Sequence, residues 1–180
     1  MNKILKLALI LFVICAIVAG VLGVVNELTK DRIWAINNQK TIEAFAVVLP
    51  ADSYTEVEFD KTAFATVDNV NKADGGEGYV VQETFSGAQG MITMVVGVDS
   101  DYKCSGISII EHSETSGLGA NAASSSEIGQ NFRAQFIGED ENIALSKAGG
   151  NIDALAGATI TSRAVTSAVA TAIQVAKSVA

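Results

Sequence analysis

Asp153-Ala154-Leu155-Ala156-Gly157-Ala158-Thr159-Ile160-Thr161-Ser162-Arg163 is the stretch from which the rest of this chain is read. Its centre, Gly157-Ala158-Thr159, is small and hydroxylated, and it heads an Ala/Val-rich run that reads as a helix. Glycine lets a backbone approach a bound group closely or turn left-handed. Thr159, Thr161 and Ser162 put three hydroxyls around the expected helix start, where Ser and Thr are favoured caps. The unpaired N–H groups and positive dipole end of such a place suit a phosphate. Small-residue turns before helices also occur without any ligand, so the tripeptide alone leaves both readings open.

The wider pattern, Asp-x-x-x-Gly-Ala-Thr-x-Thr-Ser followed by an apolar helix, resembles the FMN-binding motif of one membrane family. That family holds the G component of the Rnf electron-transport complex and the C component of the sodium-translocating NADH:quinone oxidoreductase. In it the Thr of Gly-Ala-Thr carries FMN through a phosphoester bond, which implies Thr159 here, with Gly157, Ala158, Thr161 and Ser162 around it. Ala156 stands where the family has Ser or Thr, which removes one hydroxyl and leaves the acceptor.

A second match lies upstream. Glu111-His112-Ser113-Glu114-Thr115-Ser116-Gly117-Leu118-Gly119 reads on its own as a strand running into a loop with solvated charges. It also resembles the family's His-x-Glu-Thr-Pro-Gly-Leu-Gly, with Ser116 in place of Pro. The resemblance implies that Glu114, Thr115, Leu118 and Gly119 lie beside the flavin ring. There the Glu114 charge would disfavour a more negative, reduced flavin.

Ile4 to Val25 is apolar except for Lys6. As a helix it spans about 33 Å, enough to cross a hydrocarbon core of about 30 Å. A signal peptide's apolar core is usually shorter, about 7–15 residues, and no clear Ala-x-Ala site follows. Residues 1–25 therefore read as a retained anchor in contact with lipid. Lys and Arg flank the span on both sides, so the positive-inside rule gives a near tie. The resemblance implies a single-pass protein of the cell membrane with its soluble domain outside the cytoplasm.

The net charge is −8, and Lys3 and Lys6 are the only charges before residue 26, so the remainder carries −10. Such a domain repels nucleic acid. Cys15 lies within the apolar run and Cys104 outside it, with no CxxC pair, which disfavours a disulfide, an Fe–S cluster or a zinc framework. His112 is the only histidine, which excludes a multi-histidine metal site. No metal ligands and no catalytic residues are expected.

Residues 26–50 read as a connecting helix ended by Leu49-Pro50, since the residue before proline resists helix. Ile33, Ile36, Lys40, Glu43 and Val47 share one face, with too few apolar members for a core stripe. Asp52 to Gly78 reads as irregular, and Asp68 to Asp74 as a surface loop without the spacing of a calcium site. Three strands follow at Tyr79–Phe85, Met91–Val98 and Gly106–Glu111, joined by short turns that favour antiparallel hairpins. Phe132 and Phe136 fall at helical spacing over 128–136. The last helix, Thr161 to Ala180, lines up Val165, Val169, Ile173 and Ala176. The expected fold is α+β: a transmembrane helix, then one FMN-binding domain over 51–180 with a small antiparallel sheet and packed helices.

Threonine is a poor nucleophile, and no His or Lys sits in the motif to activate Thr159. The resemblance supplies a separate magnesium-dependent flavin transferase that uses FAD as donor. It implies a covalent-FMN electron carrier working with the other subunits of an ion-translocating ferredoxin:NAD oxidoreductase. Two alternatives stand beside it. One is a counterpart of the C component of a sodium-translocating NADH:quinone oxidoreductase. The other is a membrane-anchored regulatory or binding module without electron transfer.

Overall fold

The computed structural model describes residues 3–76 and 78–180, the side chains of residues 31–38 excepted. The chain forms two compact units that divide between Gln39 and Lys40. The first unit is helical and belongs to α1, which runs from Lys3 to Val48. Over Lys3–Lys30 this helix is long and apolar enough to cross a membrane, and none of it is buried within the protein. Of the helix face expected from the sequence, Ile33 and Ile36 lie outside the described side chains, and Lys40, Glu43 and Val47 are exposed.

The second unit is built on a five-stranded antiparallel meander in the order β1 (Tyr54–Val57), β2 (Val67–Ala73), β3 (Gly78–Ser86), β4 (Met91–Asp99) and β5 (Cys104–His112). The three expected strands are present, each slightly longer than its apolar run. The reading of Asp52–Gly78 as irregular is corrected: it contributes β1 and β2, and Asp68–Asp74 lies almost wholly in β2. Polar side chains hid these strands. Val67, Val70 and Ala73 are buried while Asp68 is exposed, and an irregularity between Val67 and Asn69 breaks the period of two on which the sequence signal depends. Backbone pairing to β3 supplies what local propensity did not.

Each face of the sheet is covered. On one, the end of α1 buries Ala44, Phe45, Val48 and Leu49 against Ala73, Val80 and Val95. Close approach needs a glycine: a Cβ on Gly97 would stand 2.6 Å from the Val48 carbonyl oxygen, which accepts a 2.6 Å bond from the Ser105 hydroxyl. On the other face lie α2 (Glu127–Ala134) and α3 (Thr159–Ser178). Val165, Val169, Ile173 and Ala176 are all fully buried, as their spacing predicts, and each larger apolar side chain contributes about 1.5–3 kcal/mol. Phe132 and Phe136 are buried edge to face with centroids 5.3 Å apart.

Candidate functional site

The site is assembled where the loop after β5 meets the start of α3. Glu114 is the joint. Its Oε1 accepts N–H bonds from Ala88 (2.8 Å) and Gln89 (3.0 Å) in the β3–β4 turn, and its Oε2 accepts the Thr161 hydroxyl at 2.5 Å. Burial pushes the carboxyl up, but the bonds from Thr161 and from the N–H groups of Gln89, Ala88 and Gly90 outweigh this and hold it below the usual carboxylate range. Glu114 is therefore an ionised acceptor that ties three segments together. Gly119 packs against it: a Cβ there would stand 2.6 Å from Thr161 Oγ1 and 3.1 Å from Glu114 Cβ. The Glu114 N–H points at His112 Nδ1, 3.3 Å away, so the lone histidine shapes this loop.

Thr161 and Ser162 do not cap α3. The helix begins two residues earlier than its hydroxyls suggested, at Thr159, with Ala158 as a cap that offers no side-chain bond. Both hydroxyls are buried and turned inward. Ser162 Oγ donates to the Ala158 carbonyl at 2.9 Å and accepts the Leu155 N–H at 3.0 Å, which folds the approach to the helix onto its first turn. Gly157 takes φ 71°, the left-handed turn its place implied, and a Cβ there would come within 2.9 Å of Leu118 Cδ2. Thr159 differs from its neighbours. It is half-buried, and its hydroxyl has no hydrogen-bond partner among the described residues, whereas Thr161, Ser162 and Thr166 are each bonded internally. Thr115 and Leu118 are exposed nearby in sequence to the Glu114 joint, as is Ile160 beside Thr159.

A cleft of about 240 Å³ opens at Thr159, lined by Ile143, Leu145, Lys147, Arg163 and Thr166 among others. Its far wall is held in place by a bridge between Leu145 and Ile152, with the Ser146 N–H bonded to the Ile152 carbonyl at 2.8 Å. The Gln135 side chain fixes the next residue, accepting the Asp153 N–H at 2.7 Å. Arg163 follows Thr159 by one helical turn, and Lys147 comes from the opposite wall. An uncapped helix start, a free hydroxyl and two cations make a phosphate-compatible site, and the apolar wall suits a flat ring. The residues present thus fit a flavin mononucleotide. Sequence reasoning missed Lys147 and the 143–148 wall, which the fold rather than the motif brings beside Thr159; Arg163 was in the motif but had no role.

Among the described residues no cluster of three or more His, Cys, Asp or Glu could hold a metal. Cys104 is buried, and burial pushes its thiol up to about 12, which leaves it inert.

The FMN-binding domain family matches residues 87–174, and the RnfG N-terminal region matches residues 1–48. The G component of the ion-translocating oxidoreductase complex of Methanosarcina acetivorans is 30% identical, over 96% of this chain and 94% of its own. The G component of the Na(+)-translocating ferredoxin:NAD(+) oxidoreductase complex of Acetobacterium woodii is 34% identical, over 94% of this chain and 90% of its own. Among solved structures, the C component of the Na(+)-translocating NADH-quinone reductase of Parabacteroides distasonis aligns with a TM-score of 0.46 at 21% identity, covering 75% of this chain and 79% of that one.

Proposed function

The chain belongs to the RnfG family of ion-translocating oxidoreductase components, and from that premise we propose that it is the flavin-bearing electron carrier of a ferredoxin:NAD oxidoreductase complex, with FMN joined covalently to Thr159. The observation that carries this reading is the Thr159 hydroxyl, unpartnered among the described residues at an uncapped helix start beside a cleft with two cations. Bound FMN supplies electron transfer in one- or two-electron steps. The chain's part is to hold it in place and set its electrostatics. Intact mass of the protein from its own host tests the attachment: a gain of one FMN less one water is expected, and the bare polypeptide mass overturns it.

A cleft of about 240 Å³ is smaller than pockets that engulf a whole ligand, roughly 300–1,000 Å³. It therefore holds part of the nucleotide, and exposed Leu118 and Ile160 offer apolar surface beyond it. We assign Arg163 to the phosphate, one turn from Thr159, and Lys147 to the charge of the reduced cofactor. Both Glu114 oxygens are engaged within the protein, so its role is to set the loop rather than to touch the ring. Lys147→Met is expected to lower the midpoint potential by about 20 mV, which is about 1 kcal/mol for a two-electron couple and the upper end for an exposed charge. Redox titration at low and high salt checks this, and an unchanged potential removes Lys147 from the site.

No described group is hydrogen-bonded to the Thr159 hydroxyl to act as its base, and the one imidazole is engaged with the Glu114 backbone. Attachment is accordingly assigned to a separate flavin transferase. The protein is a membrane protein with an N-terminal span, and we place residues 40–180 outside the cytoplasm, with other members of the complex as partners. A Lys61→Cys variant should react with a membrane-impermeant maleimide in intact cells. Reaction only after lysis reverses the orientation.

A further inference from the structure

Glu83 is used by none of the roles above. It sits in the middle of β3, opposite Val67 on β2 and Met94 on β4. Alternation along the strand puts it on the side of Tyr79, Val81 and Phe85, the side that α3 covers. It is 0% exposed, and neither carboxyl oxygen has a hydrogen-bond partner. An unpaired charge in such surroundings costs so much that the group stays protonated instead. Burial pushes this carboxyl well above its usual range, and the negative charge of Asp68 adds to the effect.

The charged groups of the surrounding elements leave it uncompensated. On β2, Asp68 is occupied by the Thr84 hydroxyl and Lys72 lies over the Tyr79 ring. On β4 the first charged residue is Asp99, at the strand's end. The α3 residues in the core include Val165, Ala168, Val169 and Ala172, while Arg163 and Lys177 are exposed. Phe59 and Phe64 pack at the core's margin, with exposed Asp60 and Lys61 between them. Asp68 is the charge that acts on Glu83, and among the described residues no cation does.

We propose that Glu83 is a proton-dependent lock on α3: the helix stays seated on the sheet while the carboxyl keeps its proton, and loosens when that proton is lost. One buried proton thereby controls the element whose first residue is Thr159, whether or not a flavin is attached there. The direction follows from linkage. The folded chain holds a proton that the unfolded chain gives up near the ordinary value of 4.5, so this stability is fully present below that value and falls as pH rises through the folded one. Glu114, Asp60 and Glu141 are shifted the other way and matter only in acid, and the Cys104 thiol, raised from 9.0 to about 12, matters only in alkali, which leaves the neutral range clear.

The test is hydrogen exchange of the α3 amides in the flavin-free chain in detergent, between about pH 5.5 and about pH 7.5, below the titration of the Cys104 thiol. Wild type is compared with Glu83→Gln and Glu83→Leu. After correction for intrinsic exchange, the α3 opening constant of wild type should rise by up to about tenfold per pH unit and stay flat in both variants. If Glu83→Gln does not fold, Glu83→Leu decides, since it puts no polar group in the site. A flat wild-type profile, or the same slope in the variants, overturns the proposal.

Discussion

Thr159→Ala is expected to yield a folded, membrane-bound protein that carries no flavin. The side chain is half-buried and bonded to nothing among the described residues, so its loss removes a nucleophilic oxygen and little else. Alanine also has the higher intrinsic helix propensity. Intact mass should fall to that of the polypeptide, and the denatured band should lose its fluorescence under ultraviolet light. Thr159→Ser should keep partial labelling, because a hydroxyl remains at the same place. A Thr159→Ala band that stays fluorescent would move the attachment to another hydroxyl. Thr161 and Ser162 are poor substitutes, since theirs are buried in internal hydrogen bonds.

The second large effect concerns stability. Glu114→Ala removes the acceptor of the Ala88 and Gln89 N–H groups and of the Thr161 hydroxyl. Ala88 and Gln89 are exposed and can turn to water, but the buried Thr161 hydroxyl is left unmet at a cost of about 1–3 kcal/mol, so a loss of about 2 kcal/mol in the denaturant unfolding free energy is expected. The pH dependence separates this from generic damage. A carboxyl held below its usual value stabilises the fold above the unfolded value of 4.5 and loses that contribution as pH falls through the folded one. Wild type should weaken on acidification by an increment that Glu114→Ala lacks. Parallel pH profiles would show that the latch contributes nothing.

How much of this could be seen in the chain itself follows from where each signal resides. The apolar span, the β3–β4–β5 hairpins and the buried stripe of α3 all rest on local periodicity, and the structure has them. Val67–Ala73 is a strand because β3 pairs with it, and a polar sequence of irregular period carries no mark of that. At the site, Gly157 and Thr159 were legible because their roles are local: a left-handed turn and a hydroxyl at a helix start. Glu114 was legible as a special residue but not as a latch, since its partners lie 25, 26 and 47 positions away. Lys147 was invisible for the same reason. Glu83 lay within a strand read correctly, yet nothing in Gln82-Glu83-Thr84 says which of the three turns inward.

The sheet is a plain meander, each strand beside the one made just before it, and α3 follows all five strands in the chain. During synthesis, then, the strands are made before the helix that covers them, and their α3-facing side stays uncovered until α3 itself has been made. Thr159 opens that helix. Its setting is completed only once α3 has been made and has closed the core, so an enzyme that recognises the assembled acceptor acts on a folded domain and passes over chains that stop short of α3. A group attached at Thr159 would therefore also report that the sheet's α3-facing side had been covered.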